Sequence, residues 1–321
     1  MKENCKIRIG IPRALLYHEL FPLWKAFFEE LNLEVITSGE TTEEVIRRGI
    51  NSTGSDLCLP VKTFLGHVHV IKDSVDFLFV PRYISIEEDA YMCPKFLGLP
   101  DMVRASITLL PPIIDAPMNL KKGGQSEFLY GIGKILRIDK RDVENAYRKA
   151  EKLNTEIATP PLVARNDKRG IGLKIALLGR PYLLYDSYIN RSIIRRLNTL
   201  GAEAILSNGI SEEDIKGVMT LLSKVIYWSM DKEVVTSAYY HLRDRDVAGI
   251  INLVSVACGP DSFTSEIINE LRKKMPAIPY MTLYLDEHTS DLGILTRIEA
   301  FIDMIRRRCP EVRAEVTRGP A

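Results

Sequence analysis

The chain has 321 residues, 46% hydrophobic and 26% charged, an ordinary balance for a globular protein that buries a sizeable core. Lys and Arg number 43 against 42 Asp and Glu, so the basic excess of a nucleic-acid binder is missing. Five cysteines in a chain without a secretion signal point to reduced thiols or metal ligands rather than a disulfide framework. No apolar run reaches the ~18–20 residues of a membrane span. Met1 to Cys5 leads straight into a charged, strand-like segment, unlike a signal peptide. A cytoplasmic protein of about two domains is the expectation.

Along the chain, Lys6 to Ile11 reads as a strand, followed by a helix over Leu15 to Leu31 whose main part begins at Pro22. Leu33 to Ile36 reads as a second strand. Thr41 as N-cap with Glu44 three residues on forms a capping box that opens a helix to Gly49. Pro60 to Lys72 is helical, and Asp76–Pro81 and Pro112–Asp115 are strands. This alternation has the spacing of βαβ units and implies a parallel sheet covered on both faces.

The pattern changes between Lys121 and Arg165, where a helical stretch rich in Lys, Arg and Glu spans roughly 126–157. Alternation then resumes, with strands at Leu173–Leu178, Ala204–Leu206, Val247–Val256 and Tyr280–Leu285 and a last helix at Leu292–Arg308. The fold class is therefore α/β: two Rossmann-like parallel-sheet domains, residues 1–120 and 166–321, with a helical connector at 121–165. An internal echo joins the halves: Ile9-Gly-Ile-Pro-Arg-Ala-Leu-Leu-Tyr17 resembles Leu177-Leu-Gly-Arg-Pro-Tyr-Leu-Leu-Tyr185. Duplication and chance both account for it.

Cys58, Cys93 and Cys258 share a context, each followed by proline within two residues. Cys58 and Cys258 lie just before predicted helix starts, and Cys93 lies in a loop after a strand. These are positions at the carboxyl edge of an α/β sheet, where ligands bind. A helix N-terminus favours thiolate and an anionic cluster. The ordinary role of a free cysteine, a small buried hydrophobe, is the alternative. Cys309 also precedes a proline but follows Arg306–Arg308 at a helix end, and Cys5 has no polar constellation near it. The long separations fit no local zinc pattern such as C-x-x-C. Thiolate ligation from distant loops points to iron–sulfur.

A P-loop is absent from the sequence, so P-loop ATP hydrolysis is not encoded here. His67 and His69, two apart on a helix, face away from each other and read as surface or core histidines. Asp286, Glu287 and His288 end a strand at the carboxyl edge, as crevice-lining groups or as a cap for the next helix. Arg13 and Arg180 follow the first strand of each half, where they suit phosphate or carboxylate, or interdomain ion pairs.

The ordered set Gly10-Ile-Pro-Arg-Ala-Leu, Cys58-Leu-Pro-Val-Lys62, Cys93-Pro94, Gly179-Arg-Pro-Tyr182 with Asp186 and Asn190, Cys258-Gly-Pro-Asp-Ser-Phe263, Asp286-Glu-His-Thr289 and Thr296–Phe301 resembles a known family. It is similar to the activase-related proteins near the 2-hydroxyacyl-CoA dehydratases, benzoyl-CoA reductases and double-cubane cluster proteins. The resemblance covers nearly the whole chain and is weakest in the connector. It implies Rossmann-like domains with a [4Fe–4S] cluster in the cleft, held by Cys58, Cys93 and Cys258, with one iron open to a small, CoA-linked or similar substrate. It also implies a separate ATP-dependent activase, carrying its own cluster, as the electron donor. A double cubane needs more motif cysteines than one chain has, and would take a homodimer.

The leading expectation is thus an oxygen-sensitive, electron-accepting reductase or dehydratase component. Polar groups expected to face the open iron are Asp261, Ser262, Asp286, Glu287 and His288, with Lys62 and Arg180 compensating the cluster's charge. A cluster carrier or scaffold without turnover, and a metal-free two-domain ligand-binding protein, are the alternatives.

Overall fold

The computed structural model describes residues 6–54, 56–122, 124–156, 173–206, 210–275 and 278–308. They form two compact units: residues 1–159 with 226–232, and the remainder. Cys5 and Cys309 lie outside the described residues.

In the first unit the chain runs β1 (Arg8–Ile11), α1 (Tyr17–Glu30), β2 (Glu34–Thr37), α2 (Glu43–Asn51), α3 (Leu59–Ile71), β3 (Phe77–Phe79), β4 (Arg82–Ser85), α4 (Pro94–Leu97), α5 (Leu99–Ser106), β5 (Ile113–Ile114) and β6 (Pro117–Asn119). A 3₁₀ turn, Leu120–Lys122, precedes α6 (Gln125–Leu136) and α7 (Lys140–Glu156). The sheet order is β2-β1-β3-β5, all parallel. Beyond it β4 and β6 pair in parallel. They prolong β3 and β5, because Val80 N–H donates to Ile114 O (3.1 Å) and Arg82 N–H to Ala116 O (3.1 Å). Pro81 interrupts the ladder by removing one donor without ending the pairing.

The core of this unit is aromatic. Trp24 of α1 meets Phe79 of β3, Phe128 of α6 and Tyr147 of α7 at ring separations of 5.1, 5.6 and 6.1 Å. Such pairs add about 0.5–1.5 kcal/mol each beyond the area they bury. Helices α6 and α7, from the stretch expected as a connector, pack on α1 and β6 within this unit. Arg137, in the left-handed region at φ 58°, divides the expected single helix in two. Pro22 lies inside α1, which starts at Tyr17, rather than opening its main part.

The second unit contains β7 (Leu173–Leu178), α8 (Pro181–Leu184), α9 (Ile193–Thr199), β8 (Ala202–Leu206), α10 (Glu212–Leu221), most of α11 (Ser229–His241), β9 (Gly249–Ser255), α12 (Gly259–Lys273), β10 (Tyr280–Leu285) and α13 (Asp291–Arg308). Its sheet, β10-β9-β7-β8, is parallel throughout. Every residue of β9 is buried, as a central strand covered on both faces requires. Helix α13 lays Ile294, Ile298, Phe301, Ile302 and Ile305 along one buried stripe, and ends on Arg306–Arg308, which suit the negative end of its dipole.

Counted within each four-stranded sheet, both follow one order: second strand, first, third, fourth. This shared topology is what a duplication would leave, and the sequence echo falls at the same place in both, the end of the first strand. Among the described residues no helix is long and apolar enough to cross a membrane.

Candidate functional site

In sheets of this order the loops after the first and third strands leave in opposite directions, opening a crevice at the carboxyl edge. In the second unit those loops follow β7 and β9. Gly179, at φ +155°, turns the chain out of β7 where a Cβ would sit 3.2 Å from Leu253 Cβ. Arg180 then caps α8, with Pro181 as the first helical residue. Its side chain, 3% exposed, faces the other loop. Nη1 donates to Cys258 Sγ at 3.2 Å and to Tyr182 Oη at 3.0 Å. Nη2 pairs with Asp261 Oδ1 at 3.1 Å. The second carboxylate oxygen of Asp261 accepts the Ser255 N–H at 2.9 Å, tying it to the end of β9. Burial pushes the Tyr182 hydroxyl well above its usual range, against the opposing pull of Arg180.

Cys258, Asp261 and Arg180 therefore form one buried cluster, in which a guanidinium is aimed at a sulfur and held from behind by a carboxylate. Ser262 is differently employed: its hydroxyl donates to Cys258 O at 3.2 Å within the first turn of α12. Asp286 and His288 lie beyond β10, the strand next to β9. Asp286 Oδ1 accepts from Thr289 Oγ1 (2.7 Å) and His288 N–H (3.0 Å), a turn that prepares the start of α13. Glu287 lies between them and is half-buried, while His288 is exposed.

In the first unit Cys58 caps α3 with Pro60 in the first turn, and Cys93 caps α4 with Pro94 as its first residue. Cys258 caps α12 in the same way, with Pro260 in the first turn. All three motif cysteines are thus N-caps with extended backbone, Cys93 included, although a loop was expected there. Helix α4 is a single turn, too short to announce itself in the sequence. Cys58 and Cys258 are buried and Cys93 is half-buried. Lys62, 2% exposed, lies in the first turns of α3 after Cys58.

A second buried polar cluster lies where β1 and β2 end, and its members had no sequence signal as a group. His67 of α3, fully buried, places Nδ1 2.8 Å from Ser38 Oγ and Nε2 2.9 Å from Thr41 Oγ1. Ser38 Oγ also accepts the Arg13 N–H at 2.9 Å, and the Arg13 guanidinium pairs with Glu40 at 3.3 Å. Burial, reinforced by Arg13 and His18, lowers the His67 pKa to about 3. Burial and Arg13 lower that of His18 to about 4. With its pKa held this low, the ring joins the loop after β2 to α3 through both nitrogens, and Ser38 in turn ties in the loop after β1. Thr42, not Thr41, caps α2, accepting the Val45 N–H at 3.3 Å. His69, two residues on and on the other side of α3, bonds Ser52 Oγ at 2.6 Å. Between the ends of β1 and β3 a cavity of about 40 Å³ is walled by Pro12, Tyr17, Trp24, Phe79 and Tyr83. It is small beside the ~300–1,000 Å³ of ligand pockets.

Cys58 and Cys93 belong to the first unit and Cys258 to the second. Among the described residues no three His, Cys, Asp or Glu side chains are gathered into a metal site. A family model described as the CoA enzyme activase uncharacterised domain (DUF2229) matches residues 8–210. The matched span includes Cys58, Lys62, Cys93 and Arg180 and ends before Cys258. No curated protein matches the chain.

Proposed function

Since the chain belongs to the CoA enzyme activase domain family, we propose that it works beside a CoA-dependent enzyme as an electron-accepting iron–sulfur component, related to the 2-hydroxyacyl-CoA dehydratase systems and fed by an ATP-dependent activase. The observation that carries this reading is the buried Arg180–Cys258 contact at 3.2 Å, braced by Asp261. A buried guanidinium donating to sulfur is what a thiolate ligand of an anionic cluster calls for, and it has no place around an inert apolar cysteine.

The residues fit the chemistry of a [4Fe–4S] group one by one. Cys58, Cys93 and Cys258 supply thiols, and the N-termini of α3 and α12 supply positive dipole ends. Lys62 and Arg180 supply charge. When bound, such a cluster supplies one-electron transfer at low potential. The chain's own part is to bury the group, donate to its ligand sulfur and keep water from it. The acyl-CoA class remains the proposed substrate class for the assembled system.

One observation favours a second reading, an electron carrier without turnover of its own. Ser262 and Asp286, two of the polar groups expected to face substrate, make local bonds in a helix turn and a strand-end turn. Anaerobic purification with iron and sulfide analysis tests the shared premise. About four irons per chain are expected. Serine at Cys58, Cys93 or Cys258 should lose most of them, and serine at Cys5 or Cys309 should not. A colourless, iron-free protein after anaerobic reconstitution would leave the metal-free ligand-binding reading. Turnover of candidate acyl-CoAs with a low-potential donor separates enzyme component from carrier.

A further inference from the structure

Arg180 and Asp261 have one relationship that charge compensation alone does not explain. A guanidinium that merely balances charge does its work from several ångströms away, in any orientation. Arg180 has a fixed one. Its Nη2 is held by Asp261 Oδ1 at 3.1 Å, while Asp261 is itself fixed through the Ser255 N–H at 2.9 Å. Nη1 is thereby directed at Cys258 Sγ, with Tyr182 Oη as its other acceptor. Both side chains of the pair are almost completely buried, 3% and 7% exposed, so solvent neither screens the charge nor competes for the donor. Gly179 makes this turn at a φ of +155° that other residues rarely adopt, and Pro181 fixes the first helical residue after it.

We propose that Arg180 is the positioning residue of the Cys258 sulfur, and that the Asp261–Arg180–Cys258 relay raises the reduction potential of a cluster bound through that sulfur. The inference rests on the iron–sulfur reading above. Asp261 then has no direct dealing with substrate; it orients Arg180. The physical reason is that reduction adds one negative charge, with no bond made or broken. An N–H donated to a ligand sulfur stabilises the more negative state, as does a nearby buried cation. A component that must receive electrons gains from such a contact.

The test is spectroelectrochemical titration of the anaerobically reconstituted, full-length protein and its variants, with iron content and circular dichroism measured on each. Arg180→Met removes donor and charge, and reduction should become about tenfold less favourable, a fall of about 59 mV for a one-electron couple. Because that variant leaves Asp261 buried and unpaired, Arg180→Met with Asp261→Asn is the companion. It changes the net charge by zero and keeps an acceptor for the Ser255 N–H, so a fall in its potential isolates the N–H to sulfur bond. Arg180→Lys, which keeps the charge on a differently shaped donor, should fall between wild type and Arg180→Met. Iron retained with an unchanged potential in both Met variants would overturn the proposal and leave the iron–sulfur reading standing. Iron lost from both with the fold intact would make Arg180 a requirement for holding the cluster and overturn its role in setting the potential. A wild-type protein that takes up no iron would overturn both readings together.

Discussion

Gly49 of α2 lies so close to the Lys62 carbonyl of α3 that a Cβ built on it would stand 1.9 Å from the oxygen. Gly66 has the same 1.9 Å relation to the Val45 carbonyl, so the two helices touch backbone to backbone at two points. This double contact fixes the axis of α3, and with it the directions in which Cys58 and Lys62 leave that helix.

Alanine at Gly49 or Gly66 should therefore destabilise the protein by about 1–3 kcal/mol, because backbone rather than a flexible side chain has to move. Gly217 in α10 is the control, with nothing within 4 Å of its built Cβ. Its replacement by alanine should stabilise by about 0.5–1 kcal/mol. Urea midpoints read both. A Gly49→Ala protein as stable as wild type would mean the helices are not in this contact.

The His67 hub should make stability depend on pH in a defined window. Above pH 6.5 the ring is neutral in the folded and the unfolded chain, and it adds no slope. As pH falls from 6.5 toward about 3, the unfolded chain takes up a proton that the buried ring refuses, so stability is lost. The loss is on the order of 1 kcal/mol per pH unit. His67→Gln should be less stable at pH 7 but flatter across that window, the remaining fall there including the contribution of His18. Equal slopes in variant and wild type would count against the buried neutral ring.

Thr41 and Thr42 should respond to different substitutions. Thr42→Ala removes the α2 cap and should cost about 1 kcal/mol, while Thr42→Ser should cost little. Thr41→Val removes the hydroxyl at His67 Nε2 and leaves a buried ring nitrogen without that partner, a cost of about 1–3 kcal/mol. If Thr41→Ala melted α2 and Thr42→Ala did not, the cap would be where the capping box first suggested.

Thr289→Val should loosen the turn after β10 by removing both Thr289 hydroxyl bonds, the one donated to Asp286 Oδ1 and the one accepted from the Asp286 N–H. Faster amide exchange at the start of α13 is the expected reading. Unchanged exchange would free Asp286 for the crevice role assigned to it from sequence.

Much of the sheet framework was legible because its signals are local. The apolar run of β7 and the strand Tyr280–Leu285 were located residue for residue. Strands β4 and β6 were not, since Pro81 and Pro117 break the run that would announce them and only pairing across the chain reveals their continuity. Adjacent threonines explain the one-residue error at α2: either can begin a capping pattern, and tertiary demand from His67 decides which is spare. The motif cysteines were singled out by their prolines. What placed Arg180 against Cys258 was invisible, because the two are 78 residues apart and meet through β-strand order. The Ser38–His67–Thr41 hub was missed for the same reason: His67 meets Ser38 and Thr41 across 29 and 26 residues of sequence.

Residues 226–232 belong to the first unit, although 66 residues of the second, 160–225, precede them. There Tyr91 N–H donates to Tyr227 O at 2.8 Å, Ser229 N–H donates to Tyr91 O at 3.0 Å, and Lys232 pairs with Asp89 at 3.2 Å. The first unit is therefore not finished when its own 159 residues have been made. During synthesis the backbone groups of Tyr91, two residues before Cys93, wait for a strip of chain that emerges much later. An N-terminal fragment ending near residue 160 would carry those groups unmatched, and dissecting the protein into halves at the apparent boundary would remove a wall from the first half.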